Sequence, residues 1–287
     1  MFSKEQFQKE INQIIKIAIA EDVGDGDHSS LACIPEKAMG EAHLLVKEDG
    51  VLAGVEFAQR IFKTVDPTVE FHSLMQDGDP VQKGDLAFRV NGRSQSILKT
   101  ERFMLNAMQR MSAIATKTNS FVEVLKPFQT QILDTRKTTP GIRALEKWAV
   151  RIGGGVNHRY ALYDMVMLKD NHIDFAGGIG KAIAKTKTYL KENQLDLKII
   201  VEARDLQEIE EILESHADVY RILIDNFTYA ETKKAVALIG ELCLTESSGN
   251  ITLETAPKYA ECGVDFISSG ALTHSVYNLD LSLKAVL

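Results

Sequence analysis

The second half of the chain repeats one pattern, which limits its fold more than any other feature of the sequence. Beyond Pro127, short apolar runs alternate with segments of helical or loop character. The six runs are residues 131–133, 165–168, 198–201, 221–224, 242–244 and 265–267. This alternation is typical of βα units with parallel strands. Because a closed barrel of this kind has eight strands, six runs predict an open, incomplete α/β barrel.

Polar residues follow each of the six runs. They occupy residues 134–137, 169–172, 202–204, 225–226, 245–250 and 268–270. The carboxyl ends of the strands of an α/β barrel meet on one face, and active sites lie on that face. We therefore expect the functional residues of this chain at these strand ends.

The N-terminus predicts a helix followed by a loop. Apolar residues recur at helical spacing over residues 3–20, and Ser3 and Gln6 have the spacing of a helix cap. Residues 21–30, EDVGDGDHSS, contain two glycines and several acidic residues and predict a loop.

The segment up to residue 125 predicts an α+β domain. Short apolar runs separated by tight turns indicate strands, and two longer segments indicate helices. The strands are expected at residues 42–46, 51–55 and 86–90, and the helices near residues 57–64 and over residues 94–125. The second helix lacks proline and is either continuous or broken near Ser112.

The composition excludes several classes of partner. The chain has 33 Lys+Arg and 40 Asp+Glu among its 287 residues, a formal net charge of −7. Because nucleic acids and anionic membranes attract basic surfaces, neither is an expected partner. The longest apolar runs, such as residues 17–20 and 235–240, are far shorter than the roughly 18 residues that a membrane-spanning helix needs.

The N-terminus and the cysteines predict a cytoplasmic protein. Charged side chains stand where a secretory signal would have its apolar stretch, namely Lys4, Glu5, Lys9 and Glu10. The cysteines at positions 33, 243 and 262 form no CxxC pair. This favours reduced thiols over a disulfide framework or a zinc site.

The last two strand ends are serine-glycine turns. Their residues are Ser248, Gly249 and Asn250 in the first turn, and Ser268, Ser269 and Gly270 in the second. Small residues let backbone N–H groups and hydroxyls approach an anion, and the loops after the last strands of such barrels commonly hold a phosphate. Each turn alone is ordinary loop composition, but two in successive units predict a phosphate site.

A cationic group lies in or beside the earlier strand ends of this acidic chain. It consists of Arg136, Lys137, His158, Arg159 and Lys169. Guanidinium groups bind carboxylates and phosphates through two hydrogen bonds, and lysine supplies a point charge. Five such residues favour a substrate with several negative groups over a set of solvated surface charges.

Two carboxylates, Glu202 and Asp225, come at the ends of neighbouring β-branched runs. Such a pair can hold Mg²⁺, bind sugar hydroxyls or stabilise a developing positive charge. The alternative is a structural role, in which they form ion pairs with nearby basic residues. The sequence leaves all four possibilities open.

Residues 132–173, ILDTRKTTPGIRALEKWAVRIGGGVNHRYALYDMVMLKDNHI, resemble the quinolinate phosphoribosyltransferases, also called carboxylating nicotinate-nucleotide pyrophosphorylases. The resemblance includes EDVGDGDHSS, TERFMLN at residues 100–106, ESSGNI and ISSGALTHS, so it covers nearly the whole chain. DTRKTTPG, GGGxxNHR and MLKDNH in this order and spacing are highly specific to the family.

The resemblance implies a fold and a reaction. Family members join an N-terminal α/β sandwich domain to an open α/β barrel, here residues 1–112 and 113–274, with residues 275–287 a candidate segment for packing back on the first domain. The implied enzyme is a pentosyltransferase of NAD biosynthesis. It converts quinolinate and 5-phosphoribosyl 1-pyrophosphate to nicotinate mononucleotide, pyrophosphate and CO₂, with Mg²⁺ as cofactor.

The resemblance also implies roles for single residues. Thr135, Arg136, His158, Arg159 and Lys169 would surround quinolinate, with Lys137 reaching toward it or the pyrophosphate. Glu202 and Asp225 would face the ribose and the metal, with Mg²⁺ held largely through pyrophosphate and water, and the two serine-glycine turns would bind the 5′-phosphate. Arg102 would reach into the site of a second subunit, which implies a homodimer or a hexamer built from dimers. Lys137, Lys169, Glu202 and Asp225 are the expected catalytic residues.

Three other functions stay open at this point. One is a related phosphoribosyltransferase for a different aromatic acid, or a family paralogue associated with molybdenum transport. Another is a Schiff-base aldolase with Lys169 as nucleophile, and the third is a phosphate-binding module without catalysis. The last gives no reason for the paired carboxylates or the cationic group.

Overall fold

The structure is a computed structural model that describes residues 3–286. Within these residues the chain forms two compact units. The first, which we call the barrel unit, comprises residues 120–136 and 155–270. The second, the sandwich unit, comprises residues 3–119, 137–154 and 271–286. No helix of the described chain is both long and apolar enough to cross a bilayer.

The described chain contains both helices and strands throughout. The N-terminal part forms α1 (Lys4–Val23), α2 (His28–Cys33), β1 (Met39–Val46), β2 (Gly50–Val51), α3 (Val55–Val65), β3 (Glu70–Ser73), β4 (Pro80–Val81), β5 (Leu86–Arg93) and α4 (Ser94–Leu125). The remainder forms β6 (Gln131–Leu133), α5 (Arg143–Ile152), β7 (Val166–Leu168), α6 (Asp170–Ala176), α7 (Ile179–Glu192), β8 (Ile199–Ala203), α8 (Leu206–Leu213), a 3-10 turn (His216–Asp218), β9 (Arg221–Asp225), α9 (Tyr229–Ile239), β10 (Leu244–Ser248), α10 (Ala256–Ala260), β11 (Phe266–Ser268), α11 (Ala271–His274) and β12 (Leu281–Val286).

The sandwich unit contains an antiparallel sheet in the order β12-β1-β5-β3. Every second residue of the inner part of β1 is buried, as expected for a strand with one face against the core. Phe62, Phe71 and Phe88 pack together in that core, with ring centroids 4.5 to 6.4 Å apart. The C-terminal strand β12 pairs with β1 along six residues, from Glu41 opposite Val286 to Val46 opposite Leu281.

The helix α4 is continuous over 32 residues, so the alternative of two helices is wrong. Ser112 does not break it, because its hydroxyl turns away from the helix backbone. The hydroxyl accepts a hydrogen bond from the backbone N–H of Ala53 at 2.9 Å and donates to the carbonyl of Ala53 at 3.1 Å. One turn further on, the Thr116 hydroxyl accepts from the N–H of Val51 at 2.8 Å. Side chains of α4 therefore pair the backbone groups of the segment around β2.

The N-terminal helix forms as predicted, but the loop after it is shorter than expected. Ser3 caps α1 by accepting a hydrogen bond from the backbone N–H of Gln6 at 3.1 Å. The helix then runs through Val23, and α2 begins within the segment that was expected to be a loop. The reason is Asp27, whose carboxylate caps α2 by accepting from the N–H of Ser30 at 3.2 Å.

The barrel unit contains six parallel strands in the order β6-β11-β10-β9-β8-β7. Helices lie between successive strands from β7 to β11, and β8 is buried at every residue, as expected for a parallel strand covered on both faces. The first strand, β6, pairs with the last strand, β11, while β7 occupies the other edge. The sheet therefore opens between its first and second strands, and the prediction of an incomplete barrel is confirmed.

The strand β10 lies further along the chain than the sequence predicted. Its residues are 244–248 instead of 242–244, so Thr245, Glu246 and Ser247 belong to the strand and not to the turn after it. All three are buried. The sequence pattern identifies strands by their apolar residues, so it missed these three polar strand residues and placed the strand too early.

Candidate active site

The candidate site lies at the carboxyl edge of the barrel unit. Ser248 of β10 pairs with Asp225 of β9, and Ser268 of β11 pairs with Leu133 of β6. Leu168, the last residue of β7, pairs with Val201 of β8, so the next residues, Lys169 and Glu202, lie side by side. The strands thus bring the expected residues of this unit to one edge.

Lys169 and Glu202 form an ion pair at this edge. The Nζ atom of Lys169 lies 2.7 Å from Oε2 of Glu202. The Glu202 side chain is 9% exposed and the Lys169 side chain 45% exposed, so the carboxylate is fixed while the ammonium group stays accessible. For Glu202 the structure therefore contains the ion pair that the sequence offered as an alternative.

Arg159 and Arg136 form the cationic part of the edge. Arg159 is nearly buried, and its Nη1 donates to the carbonyl of Met165 at 3.3 Å. Burial lowers the pKa of the Arg159 guanidinium, the positive charge of Arg136 lowers it further, and Asp164 partly offsets both effects. The Asp164 carboxylate itself accepts from the backbone N–H groups of Tyr160 and Ala161, at 2.7 and 2.8 Å. Two guanidinium groups that repel each other favour the binding of an anion beside them.

His158 lies in the segment that precedes β7 and is held there by Asp134. The Asp134 carboxylate is fully buried and accepts hydrogen bonds from the His158 backbone N–H at 2.9 Å and from Nδ2 of Asn157 at 2.6 Å. The His158 ring accepts the backbone N–H of Arg159 on Nδ1 at 2.6 Å, and its Nε2 lies 3.3 Å from Oε2 of Glu246. The ring is thus engaged on both nitrogens.

Glu246 and Arg221 form a buried ion pair inside the barrel unit. Nη1 of Arg221 lies 2.6 Å from Oε2 of Glu246. Burial raises the pKa of the Glu246 carboxyl, but the contact with His158 and the charge of Arg221 outweigh this effect, and the pKa lies below its ordinary value. The sequence pattern identified neither Arg221 nor Glu246, nor the holding role of Asp134. Arg221 opens the apolar run RILID, and a charged residue at the start of such a run is the signal that could have indicated it.

The serine-glycine turns follow the neighbouring strands β10 and β11. Gly249 has φ +102°, and a Cβ atom there would lie 3.0 Å from Cα of Asn226 and closer still to its side chain. Only glycine therefore fits at this position. In the second turn, the backbone N–H of Ser269 donates to the carbonyl of Leu133 at 3.1 Å, and its hydroxyl lies 3.4 Å from the carbonyl of Ile251. Ser269 thus fixes the turn within the barrel unit.

The carboxylates of Asp225 and Glu202 could bind a metal ion only if a substrate supplied further ligands. Asp225 is half-buried and accepts from Nδ2 of Asn226 at 2.7 Å, and Glu202 stands on the adjacent strand. No group of three or more His, Cys, Asp or Glu side chains among residues 3–286 is arranged to hold a metal ion. Mg²⁺ is commonly bound by one or two carboxylates together with substrate phosphates and water, so the pair fits Mg²⁺ in that form.

Two of the expected site residues, Lys137 and Arg102, belong to the sandwich unit. The backbone carbonyl of Lys137 accepts from the Thr273 hydroxyl at 2.7 Å, which fixes the chain at that point. Arg102 is exposed on α4.

An edge of this composition is suited to catalysis on small molecules that carry several negative charges, and it places the chain in the class of α/β-barrel enzymes. Comparison with known families narrows this class. The family model described as "Quinolinate phosphoribosyl transferase, C-terminal domain" matches residues 114–284, and the corresponding N-terminal domain matches residues 27–112. The chain belongs to the quinolinate phosphoribosyltransferase family.

Similar proteins agree with this assignment. The chain is 47% identical to the chloroplastic nicotinate-nucleotide pyrophosphorylase [carboxylating] of Arabidopsis thaliana and 45% identical to the mitochondrial quinolinate phosphoribosyltransferase [decarboxylating] 2b of Nicotiana tabacum. Both alignments cover 96% of this chain and 82% of the relative. The crystal structure of NadC from Streptococcus pyogenes superposes with a TM-score of 0.90 at 39% identity, over 96% of this chain and 95% of the other.

Proposed function

We propose that this chain catalyses the decarboxylating transfer of a phosphoribosyl group to quinolinate in NAD biosynthesis. The products are nicotinate mononucleotide, pyrophosphate and CO₂. The observation that supports this most strongly is the pair of guanidinium groups, Arg159 and Arg136; burial lowers the pKa of Arg159, and the positive charge of Arg136 lowers it further. Quinolinate is a dianion, so its binding would replace repulsion between the two arginines by attraction to a shared partner.

The roles of the other residues follow from charge and position. Lys169 would complete the quinolinate site through its accessible ammonium group, with Thr135 and His158 beside it. The turns at residues 248–250 and 268–270 would bind the 5′-phosphate of the donor through small side chains and backbone N–H groups. Lys137 would contact quinolinate or the pyrophosphate.

The carboxylates Glu202 and Asp225 would act on the ribose. As pyrophosphate departs, the anomeric carbon gains positive character, and two fixed carboxylates can stabilise it electrostatically while the pyridine nitrogen attacks. No protein nucleophile is needed. We propose Mg²⁺ as the cofactor, held by Asp225 and Glu202 together with pyrophosphate and water; when bound, it neutralises part of the charge of the departing group.

Loss of CO₂ then follows from the substrate itself. Once the pyridine nitrogen carries a positive charge, it withdraws electrons from the adjacent carbon, so the neighbouring carboxylate can leave as CO₂. A lysine near that carbon, Lys169 or Lys137, would stabilise the negative charge and help deliver the proton that replaces the carboxylate.

The Schiff-base alternative is disfavoured by the position of Lys169. A Schiff base forms when the lysine nitrogen attacks a carbonyl carbon, but the Lys169 Nζ is held in an ion pair with the Glu202 carboxylate at 2.7 Å. An anionic ligand can bind beside an ammonium group held in this way. The ion pair therefore supports binding of an anion over covalent catalysis by lysine.

The alternative function is phosphoribosyl transfer to a different aromatic acid. A comparison of pyrophosphate release with quinolinate and with nicotinate distinguishes it from the proposed function. We expect pyrophosphate release from phosphoribosyl pyrophosphate to be fast with quinolinate and at least tenfold slower with nicotinate, because nicotinate lacks the second carboxylate that the guanidinium pair can bind. Equal or faster release with nicotinate would contradict the proposal. Omission of the aromatic acid provides the background rate.

We also propose that the protein is a cytoplasmic homodimer, or a hexamer of dimers, in which Arg102 contacts the substrate of the second subunit. An exposed arginine on α4 suits such a role. Within the described chain, all three cysteines are free thiols, which suits a reducing compartment. The organelle locations in the names of the plant relatives belong to those proteins.

A further inference from the structure

A buried network of three ionisable side chains lies inside the barrel unit, and the reaction proposed above gives two of them, Glu246 and Arg221, no task. Oε2 of Glu246 is 2.6 Å from Nη1 of Arg221 and 3.3 Å from Nε2 of His158. Glu246 is fully buried, and Arg221 and His158 are almost so. A buried ion pair of this kind stabilises a fold no better than apolar side chains of similar volume. Stability alone therefore does not explain why the ion pair is present.

The network fixes the tautomer of the neutral His158 ring. Because Nδ1 of His158 accepts the backbone N–H of Arg159 at 2.6 Å, Nδ1 carries no proton. The proton of the neutral ring is then on Nε2, which faces the carboxylate of Glu246. A charged ring, with protons on both nitrogens, would bring two N–H groups against each other at Nδ1.

The ring in turn fixes the backbone of Arg159. Asp134 holds the backbone N–H of His158 at 2.9 Å, and the His158 ring holds the backbone N–H of Arg159. Glu246 prevents rotation of that ring through its contact with Nε2. A continuous set of contacts thus leads from the interior of the barrel unit to a guanidinium group of the candidate site.

We propose that Glu246 is a positioning residue for the reaction, which holds the His158 ring in place and through it orients Arg159 toward a quinolinate carboxylate. Arg221 balances the charge of Glu246. The positive charge that the substrate meets in the barrel unit then comes from Arg136, Arg159 and Lys169, while His158 contributes a fixed geometry. The inference rests on the proposed function and assigns to it a residue that does not touch the substrate.

The first test is the variant Glu246→Gln, with separate measurement of the Michaelis constants of both substrates. We expect the constant for quinolinate to rise about tenfold or more, with kcat and the constant for phosphoribosyl pyrophosphate nearly unchanged, because only ground-state binding of one substrate is weakened. A purely structural role would lower the active fraction and leave both Michaelis constants unchanged, and this result would overturn the proposal.

A matched control is Thr245→Val on the same strand. Thr245 is buried next to Glu246, and its hydroxyl donates to Asp265 at 2.7 Å. Its side chain points to the opposite face of β10, since neighbouring strand residues alternate. The control should lower the thermal midpoint without changing either Michaelis constant. An equal rise in the quinolinate constant in both variants would overturn the assignment to Glu246.

A second variant covers the case in which Glu246→Gln fails to fold because Arg221 is left as an unpaired buried charge. The double variant Arg221→Met with Glu246→Gln removes the charges together, which restores stability in comparable cases. We expect it to fold and to keep the raised quinolinate constant. A wild-type constant in this variant would show that the network is only structural.

The wild-type enzyme supplies an independent measurement. Nitrogen NMR of the imidazole groups, with His158 assigned by the signal lost in His158→Asn, should show that the proton of the neutral ring is on Nε2. A neutral ring with its proton on Nδ1 would overturn the proposal. Absence of quinolinate turnover in the wild-type enzyme would instead refute the proposed function, so the two failures are distinguishable.

Discussion

At the scale of residues, the site follows from the placement of charge against a fixed framework. The sequence indicated Lys169 and Glu202 because they follow apolar runs, and Arg159 because it belongs to the GGGVNHR segment and the cationic group. It did not indicate Glu246 or Arg221, because burial of a charged residue inside a strand depends on partners that are distant in sequence. The individual roles of the site residues stay predictions until variants are measured.

The residue with the clearest expected effect is Arg159. We predict that Arg159→Ala weakens quinolinate binding by about 1.5–3 kcal/mol, the cost of losing a charged hydrogen-bond partner, which is roughly 10- to 150-fold. Calorimetry with quinolinate measures this directly. The control is Arg89→Ala, which removes an exposed arginine of β5 and should leave the affinity unchanged. Unchanged quinolinate binding in Arg159→Ala would refute the assignment.

At the scale of elements, periodic patterns located most strands and helices, and the errors have different causes. The strand expected at residues 51–55 ends at Val51, and α3 already begins at Val55. The continuous helix α4 and the strand β6 have the predicted bounds, and the apolar residues of α4 repeat at helical spacing. The strand β10 was placed too early because Thr245, Glu246 and Ser247 have no apolar signature. The loop expected at residues 21–30 is mostly helical, because Asp27 supplies a cap that composition alone does not distinguish from an acidic loop.

The turn after β10 allows a test at this scale. Gly249→Ala forces a Cβ atom against Asn226 at a backbone conformation that disfavours side chains, and we expect the turn to shift. The Michaelis constant for phosphoribosyl pyrophosphate should rise about tenfold, with quinolinate binding unaffected, if this turn holds the 5′-phosphate.

Gly240→Ala is the matched control for that variant. Gly240 also has a positive φ, +55°, but no neighbouring atom lies within 4 Å of its Cβ position. It should lower the thermal midpoint without changing either Michaelis constant. The phosphate assignment is wrong if Gly249→Ala behaves in the same way as the control.

At the scale of the whole molecule, the alternation of strands and helices was enough to predict an open barrel, because six parallel strands cannot close in the way that eight do. The pairing of β12 with β1 joins the two ends of the sandwich unit, and such long-range pairing has little signature in local sequence. Local sequence patterns likewise do not indicate the number of subunits. The proposal of a dimer therefore rests on the expected role of Arg102.

Subunit mixing tests that role. Arg102→Ala and Glu202→Gln should each be nearly inactive alone. If Arg102 serves the site of the second subunit, hybrid dimers contain one intact site, and equal mixing with exchange should restore about a quarter of wild-type activity. If Arg102 serves its own subunit, both sites of the hybrid are damaged and no activity returns.

The central claim is that one site couples phosphoribosyl transfer to the loss of a carboxylate. The most direct measurement is the ratio of CO₂ to pyrophosphate released from quinolinate, labelled in the carboxyl group next to the ring nitrogen, with phosphoribosyl pyrophosphate and Mg²⁺. A ratio of about one, with nicotinate mononucleotide as the product, is the predicted result, because transfer to nitrogen creates the electron sink that decarboxylation needs. Pyrophosphate release without labelled CO₂, or release of CO₂ without the phosphoribosyl donor, would contradict it.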